Sequence, residues 1–275
     1  MTQLPDTSPG PPLDWGDVSF TTCSYIERRR SPRARLVSKA QRTWPALLAL
    51  PFGERIFVDD GSPRALALVQ LCSADLHRSF DSLRYNGKRH PRHPNFGIVE
   101  SLSAAHGRFV VHIDDDVGVD ASVLDLQTYL DECLTVLLSD TSILGIALLN
   151  QDDVTLDEWR PGPPYEPKRP IDPAVTLAHP NRYFGTAACV LRRDLVERHP
   201  LDLVYAAGTD QPQNWEELVS LEPTEFLVNC GASPFAVDRS AWKYRATYRW
   251  SPGQAIDYRV RRVKRLLAPV KRAGP

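Results

Sequence analysis

Apolar and polar positions along the 275-residue chain follow two rhythms. Short runs rich in β-branched and aromatic residues, bounded by Gly, Pro, Asp or Ser, predict strands over 17–22 (DVSFTT), 55–59 (RIFVD), 80–85, 109–113 (FVVHI) and 143–149. Between them lie stretches of helical character at 32–50, 63–77 and 96–106. Ser31 stands at the N-cap of the first and Pro32 at its first helical position. The stretch 121–138 carries Val123, Leu124, Leu126, Leu130, Cys133, Leu134 and Leu137 at the spacing of one helix face. Strand-helix alternation of this kind predicts right-handed βαβ units and an α/β fold with a mostly parallel sheet. The rhythm breaks over 151–180, which holds seven prolines and reads as one long loop. Order returns over 183–191, followed by a helix from Arg192. A further helix is expected over 211–221, with Asp210 at its N-cap and Gln213 three residues on.

Two predicted strands end in acids. The second runs into Asp59-Asp60-Gly61-Ser62 and the fourth into Asp114-Asp115-Asp116. Three consecutive carboxylates repel one another, and an unpaired buried one is costly, so a cation belongs beside them. In a parallel sheet both acidic ends share the carboxyl edge, where open α/β sheets bind ligands at a switch point. A D-x-D pair there suits a hard divalent ion, Mn²⁺ or Mg²⁺, that completes its shell with water and substrate phosphates. The plain alternatives are a D-G turn at 59–62 and a solvated strand-to-helix turn at 114–116.

Composition narrows the field. Hydrophobic residues make up 42% and the net charge is −1, so there is no basic field to make nucleic acid the main partner. Arginines cluster at 28–35, 84–92 and the C-terminus. Cys23, Cys72, Cys133, Cys189 and Cys230 show no C-x-x-C spacing, which argues against a disulfide framework or a structural zinc site and for the cytoplasm. Residues 1–16 read as a flexible Pro-rich lead-in rather than a secretory signal. No apolar run approaches the roughly 20 residues that span a bilayer. The expected organisation is a regular half over 17–150, a less regular half over 151–252 and a basic tail over 253–275. In that tail Ile256, Val260, Val263 and Leu267 share one side, which suits peripheral contact with an anionic membrane or a packed helix with a basic face. His90 and His93, in a proline-filled segment, read as a solvated turn.

The order VSFTTCSY, RIFVDDGSP, NFGIVESLSAAHGRFVVHIDDDV, FGTAACVLRRDLVERH resembles the family-2 glycosyltransferases of the GT-A fold over roughly residues 17 to 200. The resemblance implies a Rossmann-like, mostly parallel sheet flanked by helices, with a less regular C-terminal acceptor region. It implies a metal-dependent hexosyltransferase that moves a sugar from a nucleotide-diphosphate donor, UDP by family habit, to an acceptor hydroxyl with inversion. The acceptor itself, whether glycan, lipid-linked or small molecule, is not indicated. By position, Tyr25 would flank the base, Asp60 would contact base or ribose, and Thr22, Ser24 and Asp115 would belong to the donor site. Asp114 and Asp116 are the two acids of the D-x-D, with Asp116 the direct metal ligand and Asp114 on the metal, ribose or water. The catalytic base would be Asp210, with Glu217 and Glu216 as alternatives, since GTDQPQNWEELVSL departs from the family's acidic pair; Trp215 beside it would pack on a sugar face. His93-Pro94-Asn95 stands where the family often has A-R-N, leaving the arginine's part to Arg89 or Arg92. Arg249-Trp250 matches an R-W pair of processive synthases, but Ala246 stands in the glutamine position. The rival readings are a sugar-phosphate nucleotidyltransferase, a haloacid-dehalogenase-type phosphatase and a sugar-nucleotide binder without catalysis.

Overall fold

The computed structural model describes residues 13–26, 43–62, 65–85, 95–115, 117–119, 125–149, 161–164, 166, 177–180, 187–198, 224–230 and 233–237. Four strands form its first part: β1 (Val18–Ser24), β2 (Glu54–Asp59), β3 (Ser82–Tyr85) and β4 (Phe109–Ile113). The later strands are β5 (Val117–Val119), β6 (Ile143–Ala147), β7 (Pro161–Pro164), β8 (Leu177–Pro180), β9 (Ala188–Arg192), β10 (Phe226–Cys230) and β11 (Phe235–Val237). The helices are α1 over 43–48, α2 (Leu66–Ser73), α3 (Asn95–Ala104), α4 (Leu126–Ser139) and α5 (Arg193–Arg198).

Nine strands make one sheet in the order β3-β2-β1-β4-β9-β6-β10-β8-β7. Strands β3, β2, β1 and β4 are mutually parallel. β9 enters antiparallel between β4 and β6, β10 returns parallel to β6, and β8 and β7 each reverse again. Only β9 and β8 therefore oppose the common direction. From β1 the chain passes to β2 and β3 on one side, then to β4 on the other, so the sheet's switch point lies between β1 and β4. The expected Rossmann-like sheet flanked by helices is the fold the chain adopts.

Alternation along the strands builds a core on each face. Val18, Phe20, Phe57, Phe109, Val111 and Ile113 point to one side, with Trp44 and Leu47 of α1, Leu71 of α2 and Leu130, Leu134 and Leu137 of α4. Ile56, Val58, Val110 and Leu191 point to the other, with Ile98, Val99 and Leu102 of α3 and Leu195 of α5.

Several expectations are corrected. The helix expected over 63–77 is broken: α2 stops at Ser73, and Asp75 takes a left-handed φ of 62° before a short 3-10 turn over Leu76–Ser79. Aspartate is among the few non-glycine residues that accept that conformation. The described part of the helix expected over 121–138 begins at Leu126, because the Asp125 side chain accepts from Gln127 N and Thr128 N at 2.9 and 3.1 Å and caps it there. The segment 151–180 is not loop throughout; it supplies β7 and β8. Prolines are tolerated there because β7 is the outermost strand and needs donors on one side alone. β5, β10 and β11 were not expected. Strand β1 continues two residues past Thr22 to Ser24. Order also begins before residue 17: the Trp15 indole donates to Asp131 Oδ1 at 2.8 Å and its ring meets Phe52 edge-on at 5.1 Å.

The adjacent arginines of LRRDL tie helices to the sheet. Arg192, buried, donates to Ile143 O at 2.8 Å and to Leu137 O in the last turn of α4. Arg193 donates to Ala105 O, just past the end of α3. Each cation thus meets carbonyls at the negative end of a helix, where a positive charge is favoured.

Candidate functional site at the carboxyl edge of β1, β2 and β4

The second strand ends in Asp59, whose Oδ1 accepts from Ser62 N at 2.9 Å, and Ser62 Oγ in turn accepts from Ile26 N at 2.8 Å. Between them Gly61 sits at a φ of 72°, which side-chain-bearing residues rarely adopt. The D-D-G-S sequence is therefore a turn locked to the residues just after β1. Burial pushes the Asp59 carboxyl up, outweighing the hydrogen bonds from Ser62 and from the first turn of α2 at Leu68 and Ala67.

Asp60 is 2% exposed and lies against the first turn of α3. A Cβ added to Gly97 would stand 2.7 Å from both Cβ and Cγ of Asp60. Glycine in N-F-G-I is thus required for the helix to approach this carboxylate. A negative charge at a helix start is also electrostatically favoured.

Ser24 joins the two acidic turns. Its carbonyl accepts from Asp60 N at 2.8 Å, and its hydroxyl donates to Asp115 Oδ2 at 2.5 Å. The acids after β2 and β4 are therefore fastened to one residue at the end of β1. Asp114 is held from the other face. Its Oδ1 lies 3.2 Å from His112 Nε2 and accepts from Cys23 Sγ at 3.7 Å. His112 is fully buried, and its Nδ1 meets Thr21 Oγ1 at 2.9 Å and Ser101 Oγ at 3.3 Å. The Asp114 carboxylate only accepts, so the ring proton belongs on Nε2, facing it; Nδ1 then accepts, and Thr21 is its donor because the Ser101 hydroxyl is given to Ile98 O at 2.8 Å.

The aspartates thus divide by role. Asp115 is tied to Ser24. Asp114 is 18% exposed at its side chain, and its described hydrogen bonds use Oδ1 only, so Oδ2 could be offered to a hard cation. Thr22 is fully buried on the face of β1 opposite Thr21 and Cys23, and its Oγ1 makes no hydrogen bond among the described residues. Tyr25 is half-buried directly after β1. Asp116 lies outside the described residues, as do Asp210, Glu216, Glu217, Trp215, Arg89, Arg92, His90, His93, Arg249, Trp250 and the tail. His112, Thr21, Cys23 and Ser101 were missed by the sequence reading. The signal for three of them was Thr21 and Cys23 at alternate positions of β1 and His112 as the one polar residue of β4, while Ser101 on α3 carried none.

Among solved structures, the chain is similar to the mannosyltransferase PcManGT from Pyrobaculum calidifontis in complex with GDP-Man and Mn²⁺, at 13% identity and a TM-score of 0.43, covering 81% of this chain and 60% of that one. It is similar to S. aureus TarS 1-349 in complex with UDP-GlcNAc, at 13% identity and a TM-score of 0.48, covering 80% and 58%. A nucleotidyl transferase from Methanothermobacter matches at 14% identity and a TM-score of 0.44, covering 78% and 88%. The chain spans about three fifths of the length of the two glycosyltransferase structures. No family model and no curated protein sequence matches it. The likenesses concern the path of the chain, and the chemistry rests on its own residues.

Proposed function

We propose that this chain is a metal-dependent glycosyltransferase of the GT-A type. It moves a sugar from a nucleotide-diphosphate donor, UDP by preference, to an acceptor hydroxyl by single displacement with inversion. The observation that carries the reading is the double attachment of Ser24, which brings Asp60 and Asp115 to one end of β1 at the switch point of the sheet. Acids from distant parts of the sequence are there joined to one residue, an arrangement that favours a cation and a phosphate-bearing ligand.

Asp114 through Oδ2, and Asp116, are the residues that would hold Mn²⁺ or Mg²⁺. Such an ion supplies Lewis-acid stabilisation of the leaving diphosphate. Ser24 keeps Asp115 off the metal, and His112 and Cys23 fix the orientation of Asp114. Tyr25 flanks the base. Asp210, with Glu216 and Glu217 as alternatives, takes the proton of the attacking hydroxyl.

The test is release of free nucleoside diphosphate from a panel of nucleotide sugars with Mn²⁺ and mixed acceptors. One donor should be consumed, and either chelation or Asp116→Ala should lower the rate about 100-fold or more. Pyrophosphate as the product would replace this reading with nucleotidyl transfer, and inorganic phosphate with a phosphatase. Tight donor binding with no turnover would make the chain a binder.

A further inference from the structure

The α3-facing side of β1 and β4 brings four side chains into a square. Thr21 and His112 are register partners in the parallel pair, so Cys23 and Asp114, two residues on in each strand, follow on the same face. Cys23, His112 and Asp114 each offer one ligand atom, and the three atoms lie within 4.8 Å of one another. His112 Nε2 is 3.2 Å from Asp114 Oδ1, and Cys23 Sγ is 3.7 Å from the same oxygen.

The two separations to Asp114 Oδ1 are close to those that a tetrahedral ion imposes, and the third, Sγ to Nε2, is within 4.8 Å. Zinc bond lengths place N and O ligands about 3.3 Å apart and S and O ligands about 3.5 Å apart. The surroundings fit as well. A ligating imidazole needs a partner for its other nitrogen, and Thr21 Oγ1 stands 2.9 Å from Nδ1. His112 is fully buried and Cys23 is 8% exposed, while the Asp114 side chain retains 18% exposure on the rim, leaving a way in.

We propose that Cys23, His112 and Asp114 form a binding site for a thiophilic divalent cation of the Zn²⁺ class. The set of one sulfur, one nitrogen and one oxygen is chemically distinct from the all-oxygen set that selects Mn²⁺ or Mg²⁺. On binding, the Cys23 thiol gives its proton to solvent. The imidazole keeps one proton, now on Nδ1 and donated to Thr21 Oγ1, while Nε2 takes the ion. The site stands on this geometry alone and does not need the glycosyltransferase reading. If that reading holds too, an ion here engages Asp114 and so competes with the donor's metal.

The test uses the full chain carrying Cys72→Ser, which removes an exposed thiol. It is titrated with Co²⁺ under reducing, chelator-free conditions. A thiolate-to-cobalt charge-transfer band should grow to one equivalent, with tetrahedral visible bands, and Zn²⁺ should bleach it whereas Mg²⁺ should not. Cys23→Ser should abolish the charge-transfer band, and Thr21→Val should lower Zn²⁺ affinity about 10- to 100-fold. A Co²⁺ spectrum without that band in the otherwise unaltered protein overturns the proposal, as does a band that survives Cys23→Ser. Either result leaves nucleoside diphosphate release unaffected as a separate measurement, and lack of turnover on every donor would leave the cobalt spectrum standing.

Discussion

At the scale of single residues, small groups decide where charges lie. Gly97 is the clearest case, since the space its missing Cβ leaves is taken by the carboxylate of Asp60. Gly97→Ala places a methyl group 2.7 Å from two Asp60 carbons, so either α3 retreats or the carboxylate turns away. The expected cost is about 1–3 kcal/mol, typical of overpacking, which exceeds the roughly 1 kcal/mol that alanine usually gains over glycine in a helix. Urea unfolding checks the sign: a midpoint at or above the native value would mean that the contact is slack. The motif letters were legible in the sequence here, as D-D-G-S and N-F-G-I. Their mutual contact was not, because nothing in a linear pattern says that residues 60 and 97 touch. The same holds at Asp114 and Asp115, where identical letters hide different surroundings. Asp115 answers to Ser24 of the neighbouring strand, and Asp114 to His112, two residues back along its own chain, and to Cys23 of the neighbouring strand.

At the scale of elements, the strands that alternate or run apolar in the first half were legible, since each is bounded by turn residues and each faces a helix. The antiparallel β9 was harder. Its sequence, ACVLR, is buried on both faces and carries no mark of direction. Proline-rich β7 and β8 were hidden because single-residue preferences outweigh what an edge position permits. The arginine pair shows how such elements are held. Arg192 leaves β9 with its guanidinium spent on the carbonyls of Leu137 and Ile143, which end α4 and begin β6. Its burial depresses its affinity for the proton, yet no ordinary shift brings a guanidinium near neutrality. Arg192→Met keeps the bulk and strips both carbonyls of their donor, at an expected cost of about 2–4 kcal/mol. Arg193→Met, at a less buried position, should cost about 1 kcal/mol. Equal losses for the two variants in chemical denaturation would contradict the assignment of Arg192 as the buried tie.

For the molecule as a whole, the two ends of the parallel strands respond to acid in opposite senses. At the amino end Glu54 accepts from Ser19 Oγ at 2.8 Å and from His106 N at 2.9 Å, and its other oxygen meets His106 Nδ1 at 2.8 Å. Burial alone would raise its pKa, but these bonds and the His106 charge together hold it below the ordinary glutamate value. That contribution is complete above the ordinary value and is lost as pH falls through the lowered one. At the carboxyl end Asp59 is displaced upward by burial, so its charge opposes folding at neutral pH. Acidification through its raised pKa, down to the ordinary aspartate value, therefore adds stability. The two contributions have opposite signs, so on acidification Asp59 gives the stability of the chain a rising limb and Glu54 a falling one. Asp59→Asn keeps an acceptor for Ser62 N and lowers the rising limb, to which Asp131, also pushed up by burial, still contributes. Glu54→Gln keeps one acceptor for His106 N and flattens the falling limb. Urea midpoints across the acid range, taken for the native chain and both variants, separate the two. A native profile parallel to that of Asp59→Asn would mean that water reaches the buried turn and that its carboxylate is solvated after all. In that event, the crowding of charge that makes this edge of the sheet receptive to a cation would be weaker than the packing of Asp59 and Asp60 indicates.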